Sequence, residues 1–254
     1  MNPTIELLKN HRSIRKFKRK DIEKEKLDLI LETATKASTS GNMQAYSIIV
    51  TKDQKMKQSM FEAHFEQPML HEAPVFLTFC ADFNRMRKWL SQNKASMNFD
   101  NFMSFMIATL DAVLASQVAA IAAESLGLGL CYMGTTLASA HQLGEILECP
   151  KNVIPVAGYV LGYPDESPDA RLRLPIEAII HQEKYRDYNE TEIFEIHRQK
   201  NEEGMARFNH HPDLGDIDNL ARVYSELKYT RESHLKYSND LLGYLSRQNF
   251  MENA

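Results

Sequence analysis

Apolar positions along the chain fall into two periods, and the switches between them mark out the elements. In "DIEKEKLDLILETATKAS", Ile22, Leu27, Ile30, Leu31 and Ala34 return every three to four residues, with acids in the first turn, which predicts a helix. "NPTIELLKNHRS" predicts a shorter first helix, opened by Asn2 with Pro3 at its first position and ending near Asn10. "DQKMKQSMFEAHF" reads as a third helix. Apolar runs predict strands at "AYSIIVT", "APVFLTFCAD", "LCYMG" and "VIPVAGYVLGYP", the last stopping at a Tyr-Pro-Asp turn. From Asn101 to Leu126 the chain is alanine-rich and apolar on most of a helical circumference, until Gly127 and Gly129 end it. Asp111, Ser116, Gln117 and Glu124 interrupt that stretch, so it reads as a buried helix and not a membrane span.

Four strands separated by helices, with one central apolar helix, indicate an α+β or layered α/β domain. Beyond about residue 190 the chain turns polar. Helical patterns cover 190–203, 217–228 and 231–248, with thin apolar stripes. The expected organisation is a domain over 1–190 and a helical C-terminal extension of that domain over 191–254.

Composition narrows the function classes. The 254 residues carry 30 Lys and Arg against 34 Asp and Glu, a net charge of −4, which argues against a nucleic-acid binder with a broad basic face. "MNPTIELLKN" lacks an apolar core of signal-peptide length. Three cysteines, Cys80, Cys131 and Cys149, are too few and scattered for a disulfide framework or a zinc cluster. The expectation is a cytoplasmic protein without structural metal, nucleic-acid partner or membrane attachment.

Within that acidic chain, "HRSIRKF" concentrates His11, Arg12 and Arg15 around Ser13 in a loop just past a helix. Guanidinium forks and a hydroxyl suit a phosphate, and a solvated basic loop is the plain alternative. "ARLRLP" supplies a second pair, Arg171 and Arg173, whose side chains share one side if the segment is extended. "STSGNMQ" offers Ser38, Thr39, Ser40, Asn42 and Gln44 either to a heterocycle or polyol, or simply to a helix-to-strand turn. "GLGLCYMGTT" follows a helix and enters a strand, the reverse of the dinucleotide-binding order, although its glycines permit close backbone approach.

Five blocks in order resemble the nitroreductase superfamily, in its branch of NADPH-dependent nitroreductases and flavin reductases. They are "HRSIRKF"; "ATKASTSGNMQAYSIIV"; "EQPMLHEAPVFLTFCADFNR"; "AAESLGLGLCYMG"; and "GYVLGYPDESPDARLRLP" followed by "HQEKY". The resemblance spans roughly residues 1–190. It implies an α/β/α sandwich with a central, mostly antiparallel sheet, an intertwined homodimer, and FMN bound at the subunit interface. The apolar helix would then be doubly buried in the dimer core.

By the same resemblance, His11, Arg12 and Ser13 bind the FMN phosphate and ribityl chain, and Arg171 and Arg173 complete the phosphate cage. Arg15 lies by the N1/O2 edge of the ring, where a cation stabilises the charge of the reduced state. Ser38, Thr39, Ser40 and Asn42 approach the flavin, and Gln67 reaches its polar edge. Tyr132, Met133, Gly134 and Thr135 form the segment near N5. The implied activity is FMN-dependent NAD(P)H oxidoreduction. Hydride passes from NADPH or NADH to N5 and then, in ping-pong fashion, to small-molecule electron acceptors: nitroaromatics, quinones or free flavins. No catalytic acid or base is required. The alternative is a flavin-binding or regulatory protein of the same fold without efficient nicotinamide turnover.

Two departures from the family stand out. "GTTLA" replaces the usual Gly-Gly and lacks a nearby arginine, so Thr135 and Thr136 are expected to narrow the loop. The basic segment near 200–210, which in several members grips the NADPH 2′-phosphate, is here the acidic "QKNEEGMARFNHHPDLGDIDNLAR". Lys200, Arg207 and Arg222 are the available substitutes, which makes NADH a plausible donor.

Overall fold

Strand β2 (Val75–Asp82) is buried along its whole length, and its side chains alternate between two apolar layers. Val75, Leu77, Phe79 and Ala81 enter one layer, whereas Phe76 enters the other. A strand wrapped on both faces must read as a continuous apolar run, which is why "VFLTFCA" shows no polar alternation. The sheet around it has the order β1-β2-β4-β3, with β1 (Tyr46–Thr51), β3 (Gly129–Tyr132) and β4 (Val153–Gly162) all joined antiparallel. A register shift at Phe79/Cys80 lets Val156 and Tyr159, three positions apart, reach the same layer.

The structure is a computed structural model and describes residues 2–252. Its helices, in chain order, are α1 (Pro3–Lys9), α2 (Lys24–Ala34), α3 (Gln54–Phe61), α4 (Met69–Glu72), α5 (Asn84–Gln92) and α6 (Phe102–Ser125). After β3 come α7 (Thr135–Ala138), α8 (Ala140–Ile146), α9 (Glu190–Phe208), α10 (Leu220–Arg222) and α11 (Arg231–Arg247). Asn2 caps α1 as expected, its side chain accepting from the Thr4 N–H at 2.9 Å. The sequence periodicity did not mark α5 or α8. Helix α5 has a stripe of only three apolar residues, Met86, Trp89 and Leu90, and buries none of them fully.

The chain forms two compact units, residues 2–169 with 237–252, and residues 170–236. In the first, α2 and α6 cover one face of the sheet. Ala108, Ala112, Ala115, Ala119 and Ala123 give α6 a small-residue face that lets its backbone approach the strands closely. Met60 of α3, Met69 and Leu70 of α4, and Leu143 of α8 line the opposite face. This is the expected α+β, three-layer sandwich. By length and apolar composition α6 satisfies the criteria for a membrane span, yet ten of its residues are buried, several of them against the sheet.

The division of the chain falls at 169/170 and 236/237, whereas the sequence suggested 190. The end of α11 belongs to the first unit's core: Tyr244 and Leu245 are buried, and Phe250 lies 5.7 Å from the Phe105 ring. A Cβ on Gly144 would meet the Tyr244 hydroxyl at 1.9 Å, so that seat admits only glycine. In the second unit, Asn189 and Glu192 form a capping box that starts α9. Helix α9 runs five residues past its expected end. Near Gly204 it lies against Leu220, which opens α10 and the π-helical segment Val223–Lys228.

Candidate active site

The segment "HRSIRKF" is strapped to the sheet edge by its apolar members. Ser13 bridges Leu130 of β3, the Ile14 N–H donates to the Leu130 carbonyl at 2.9 Å, and Phe17 bridges Pro164. Ile14 and Phe17 are buried, Arg15 and Lys16 between them are exposed, and His11, Arg12 and Ser13 before them are half-buried. A Cβ on Gly129 would fall 2.6 Å from Ile14. The bare Cα of that glycine therefore makes room for this strap, and not for a ligand as "GLGL" had suggested.

The charge on the strap is largely free. The Arg12 Nη1 reaches the Ser167 hydroxyl at 3.5 Å, while its Nε is buried and has no partner. Among the described residues no carboxylate lies within ion-pair distance of Arg12 or Arg15. Glu166 accepts from the backbone N–H groups of Arg15 and Lys16. His11 Nδ1 sits 2.6 Å from Glu124 of α6, which leaves Nε2 as the nitrogen available to a ligand. Burial raises the Cys131 thiol above its ordinary value, while the Arg15 charge and the Ser13 hydroxyl pull the other way. Cys131 is a core thiol.

Glu124 is one of three polar side chains on α6 that each hold one of the expected site segments. Buried Asp111 accepts from the Ser40 N–H at 2.8 Å and from the Ala45 N–H at 3.1 Å, clamping both ends of the polar loop. Within that loop Gly41 and Asn42 adopt left-handed backbones (φ 57° and 56°), Ser38 and Asn42 are exposed, and Thr39 and Ser40 are half-buried. Ser116 shares a hydrogen bond of 2.9 Å with the Tyr132 hydroxyl, and the Tyr132 ring stands edge-on to Tyr159 at 4.9 Å. Burial raises the Tyr132 phenol, with the Ser116 bond opposing it. In the sequence these three residues are legible only as interruptions of an apolar helix. That interruption was the available signal for their role, because polar groups in a buried helix need partners.

Beyond Tyr132 the chain leaves the sheet through Met133, whose N–H donates to the Gly158 carbonyl at 2.8 Å. Met133 is buried, and Gly134 is exposed with nothing within 4 Å of where a Cβ would stand. Thr135 and Thr136 do not narrow this mouth. Both are buried, and the Thr135 hydroxyl lies 2.8 Å from Nδ1 of fully buried His64. Side-chain direction at a helix start decides this, and it was not visible in "GTTLA". Gln67 is half-buried on the turn between α3 and α4, its N–H donating to the His64 carbonyl at 3.3 Å.

Arg171 and Arg173 open the second unit and are exposed, again with no carboxylate in ion-pair range among the described residues. The other arginines of that unit up to α10 are all paired. Arg186 meets Glu192 at 2.8 Å, and Arg198 meets Glu195 at 3.2 Å and Glu202 at 3.7 Å. Arg207 is bound to Glu203. Arg222 lies 3.4 Å from Asp216, 3.6 Å from Asp218 and 3.0 Å from Glu226, and Glu226, with Asp216 behind it, raises its already high pKa.

The structure thus brings the His11–Arg15 strap and the Tyr132–Thr135 segment together along β3, and fastens the 38–44 loop to the same helix that holds both. The chain is similar to known proteins along most of its length. An FMN reductase [NAD(P)H] from Bacillus subtilis is 36% identical over 233 residues, covering 90% of this chain and 94% of the relative. An oxygen-insensitive NADPH nitroreductase from Salmonella typhimurium is 32% identical over 207 residues, with 82% and 85% covered. The solved NADPH:FMN oxidoreductase from Vibrio harveyi, complexed with NAD+, superposes with a TM-score of 0.82 at 28% identity, over 99% of this chain and 100% of that one. The model of the nitroreductase family matches residues 8–163, and with these relatives it establishes that the chain belongs to the nitroreductase family.

Proposed function

We infer that the protein is an FMN-dependent NAD(P)H oxidoreductase that reduces nitroaromatics, quinones or free flavins. The observation that carries the cofactor is Arg12. A partly buried guanidinium with no carboxylate and an unpartnered buried Nε is costly unless an anion completes it. The FMN phosphate supplies that anion, with the Ser13 hydroxyl beside it.

His11, oriented by Glu124, offers Nε2 to a hydroxyl or phosphate oxygen. Arg15 contributes a cation that favours the more negatively charged state of the ring. Gly134, without a side chain, leaves the mouth open to planar molecules, and the hydrogen bond between Ser116 and Tyr132 fixes the ring beside it. Ser38, Thr39, Ser40, Asn42 and Gln67 offer polar atoms to the cofactor, and the parts of Arg171 and Arg173 in phosphate binding rest on the family resemblance. Bound FMN would accept hydride from the nicotinamide and pass reducing equivalents to the acceptor in a ping-pong cycle. No side chain need act as acid or base.

A homodimer fits the same reading. Helix α6 exposes Phe102, Met103, Met106, Leu110, Val113 and Leu114, with Met103 66% exposed, a contiguous apolar face of the kind a second copy covers. A cytoplasmic location accords with NAD(P)H as donor.

The test is an anaerobic visible spectrum of the FMN-loaded protein, with NADPH and NADH added in separate cuvettes. Rapid bleaching by either donor is the expected result. Bound flavin that neither donor bleaches would sink the oxidoreductase reading in favour of a flavin-binding protein.

A further inference from the structure

We propose that His64 is a positioning residue that locks the Met133–Thr135 segment to the turn carrying Gln67, so that the two move as one piece at the flavin ring. The proposal rests on the FMN reading for its functional meaning and on geometry for the lock itself.

His64 follows the last turn of α3, where its N–H donates to the carbonyls of Met60 at 3.0 Å and Phe61 at 3.1 Å. The next two residues, Phe65 and Glu66, both adopt left-handed backbones, with φ of 54° and 52°. Two successive non-glycine residues in that region are held there against a local cost. They reverse the chain so that the Gln67 N–H returns to the His64 carbonyl at 3.3 Å, and the Leu70 N–H to the Gln67 carbonyl at 3.1 Å. The backbone of His64 thereby anchors the Gln67 turn.

Its ring anchors the other segment. Nδ1 lies 2.8 Å from the Thr135 hydroxyl, across 71 positions of sequence, and the contact is fully buried. Thr135 begins α7 directly after exposed Gly134, so holding Thr135 fixes where the open Gly134 backbone stands. The ring packs 4.8 Å from Phe76 of β2, which ties both segments to the rigid sheet. Burial in this apolar setting lowers the pKa of His64 to about 4, so the imidazole is neutral at neutral pH. A neutral ring leaves one nitrogen for Thr135, and Nε2 is buried without a partner. Each ring nitrogen without a partner is a cost that an apolar residue would avoid, which makes the bond to Thr135 the reason for a histidine here.

Three variants and two readouts test this. Thr135→Val removes the hydroxyl at nearly constant volume, Thr135→Ser keeps it, and His64→Asn keeps a hydrogen-bonding atom near the Nδ1 position. The first readout is amide hydrogen exchange of the FMN-free protein. Thr135→Val is expected to lose protection by about tenfold in both 66–70 and 134–138, with Thr135→Ser close to the parent and His64→Asn between them. The second is FMN affinity by fluorescence quenching, expected to weaken about tenfold in Thr135→Val and to recover in Thr135→Ser. Loss of protection confined to 134–138, or no loss in either segment, would overturn the lock. A parent that binds no FMN would overturn the cofactor reading alone, because the exchange experiment still decides whether the two segments are coupled. Coupled exchange with unchanged FMN affinity would overturn the placement of this pair at the ring.

Discussion

Two sets of arginines in this chain look alike in sequence and behave oppositely in the structure. Arg12 and Arg15 sit on a strap held flat against the sheet edge by buried Ile14 and Phe17, with no carboxylate in reach among the described residues. Arg186, Arg198, Arg207 and Arg222 lie in the polar second unit, and each has at least one acidic partner. A guanidinium already matched by a carboxylate has its field neutralised and its donors engaged, so it offers little to an incoming phosphate. One that is half-buried and unmatched is prepared for an anion. Local charge density therefore misleads about binding; what decides is whether the fold supplies the counter-charge itself.

The largest effect should come from emptying the unmatched set. Arg12→Ala combined with Arg15→Ala is expected to weaken FMN binding at least about a hundredfold, since hydrogen bonds to charged groups are worth about 1.5–3 kcal/mol each. Fluorescence titration reads the affinity, and light scattering shows whether the assembly persists. Full flavin retention in a folded double variant would rule out the phosphate role.

A second variant makes the first set resemble the second. Ser167 lies 3.5 Å from Arg12 Nη1, so Ser167→Glu places a carboxylate where the strap has none. The new pair competes with phosphate for the same donors, and FMN affinity should fall about tenfold, with partial recovery at high salt as the pair is screened. Unchanged affinity would mean that the free charge of Arg12 is not what the cofactor uses.

How much of this was legible in the sequence follows from how local each cause is. Strand β2 and helix α6 are read directly, because burial on both faces or most of a circumference leaves an unbroken apolar run. Ile14 and Phe17 also stand out inside the basic stretch once the strap is known. The pins were visible but uninterpreted: Asp111, Ser116 and Glu124 were plainly polar in an apolar helix, yet their partners lie 71, 16 and 113 positions away. The contact of His64 with Thr135 left no pattern at all, since neither periodicity nor spacing encodes which side of a turn faces the core. How deeply the end of α11 is buried is not legible for a related reason. Only Tyr244 and Leu245 of that helix are buried, and the close seat of Tyr244 on Gly144 involves a partner 100 positions away.

The smallest effect concerns the nicotinamide donor, and it probes the matched set. In the family resemblance the segment near 200–210 meets the 2′-phosphate that separates NADPH from NADH. Here Arg207 is bound to Glu203 and Arg222 to three acids, so among the described residues Lys200 is the one of the three substitutes without an ion pair. The ratio of kcat/KM for NADPH over NADH should therefore lie within about tenfold of unity, because a single solvent-accessible cation contributes about 1 kcal/mol or less. Glu203→Gln releases Arg207 while keeping an amide oxygen for the Leu172 N–H that Glu203 accepts at 3.1 Å, and should raise that ratio about threefold. The salt dependence gives an internal check, since an exposed arginine acting on a phosphate loses its advantage as ionic strength rises. A parental enzyme that prefers NADPH by several hundredfold would mean that the 2′-phosphate is met elsewhere, and that pairing in the second unit says nothing about the donor.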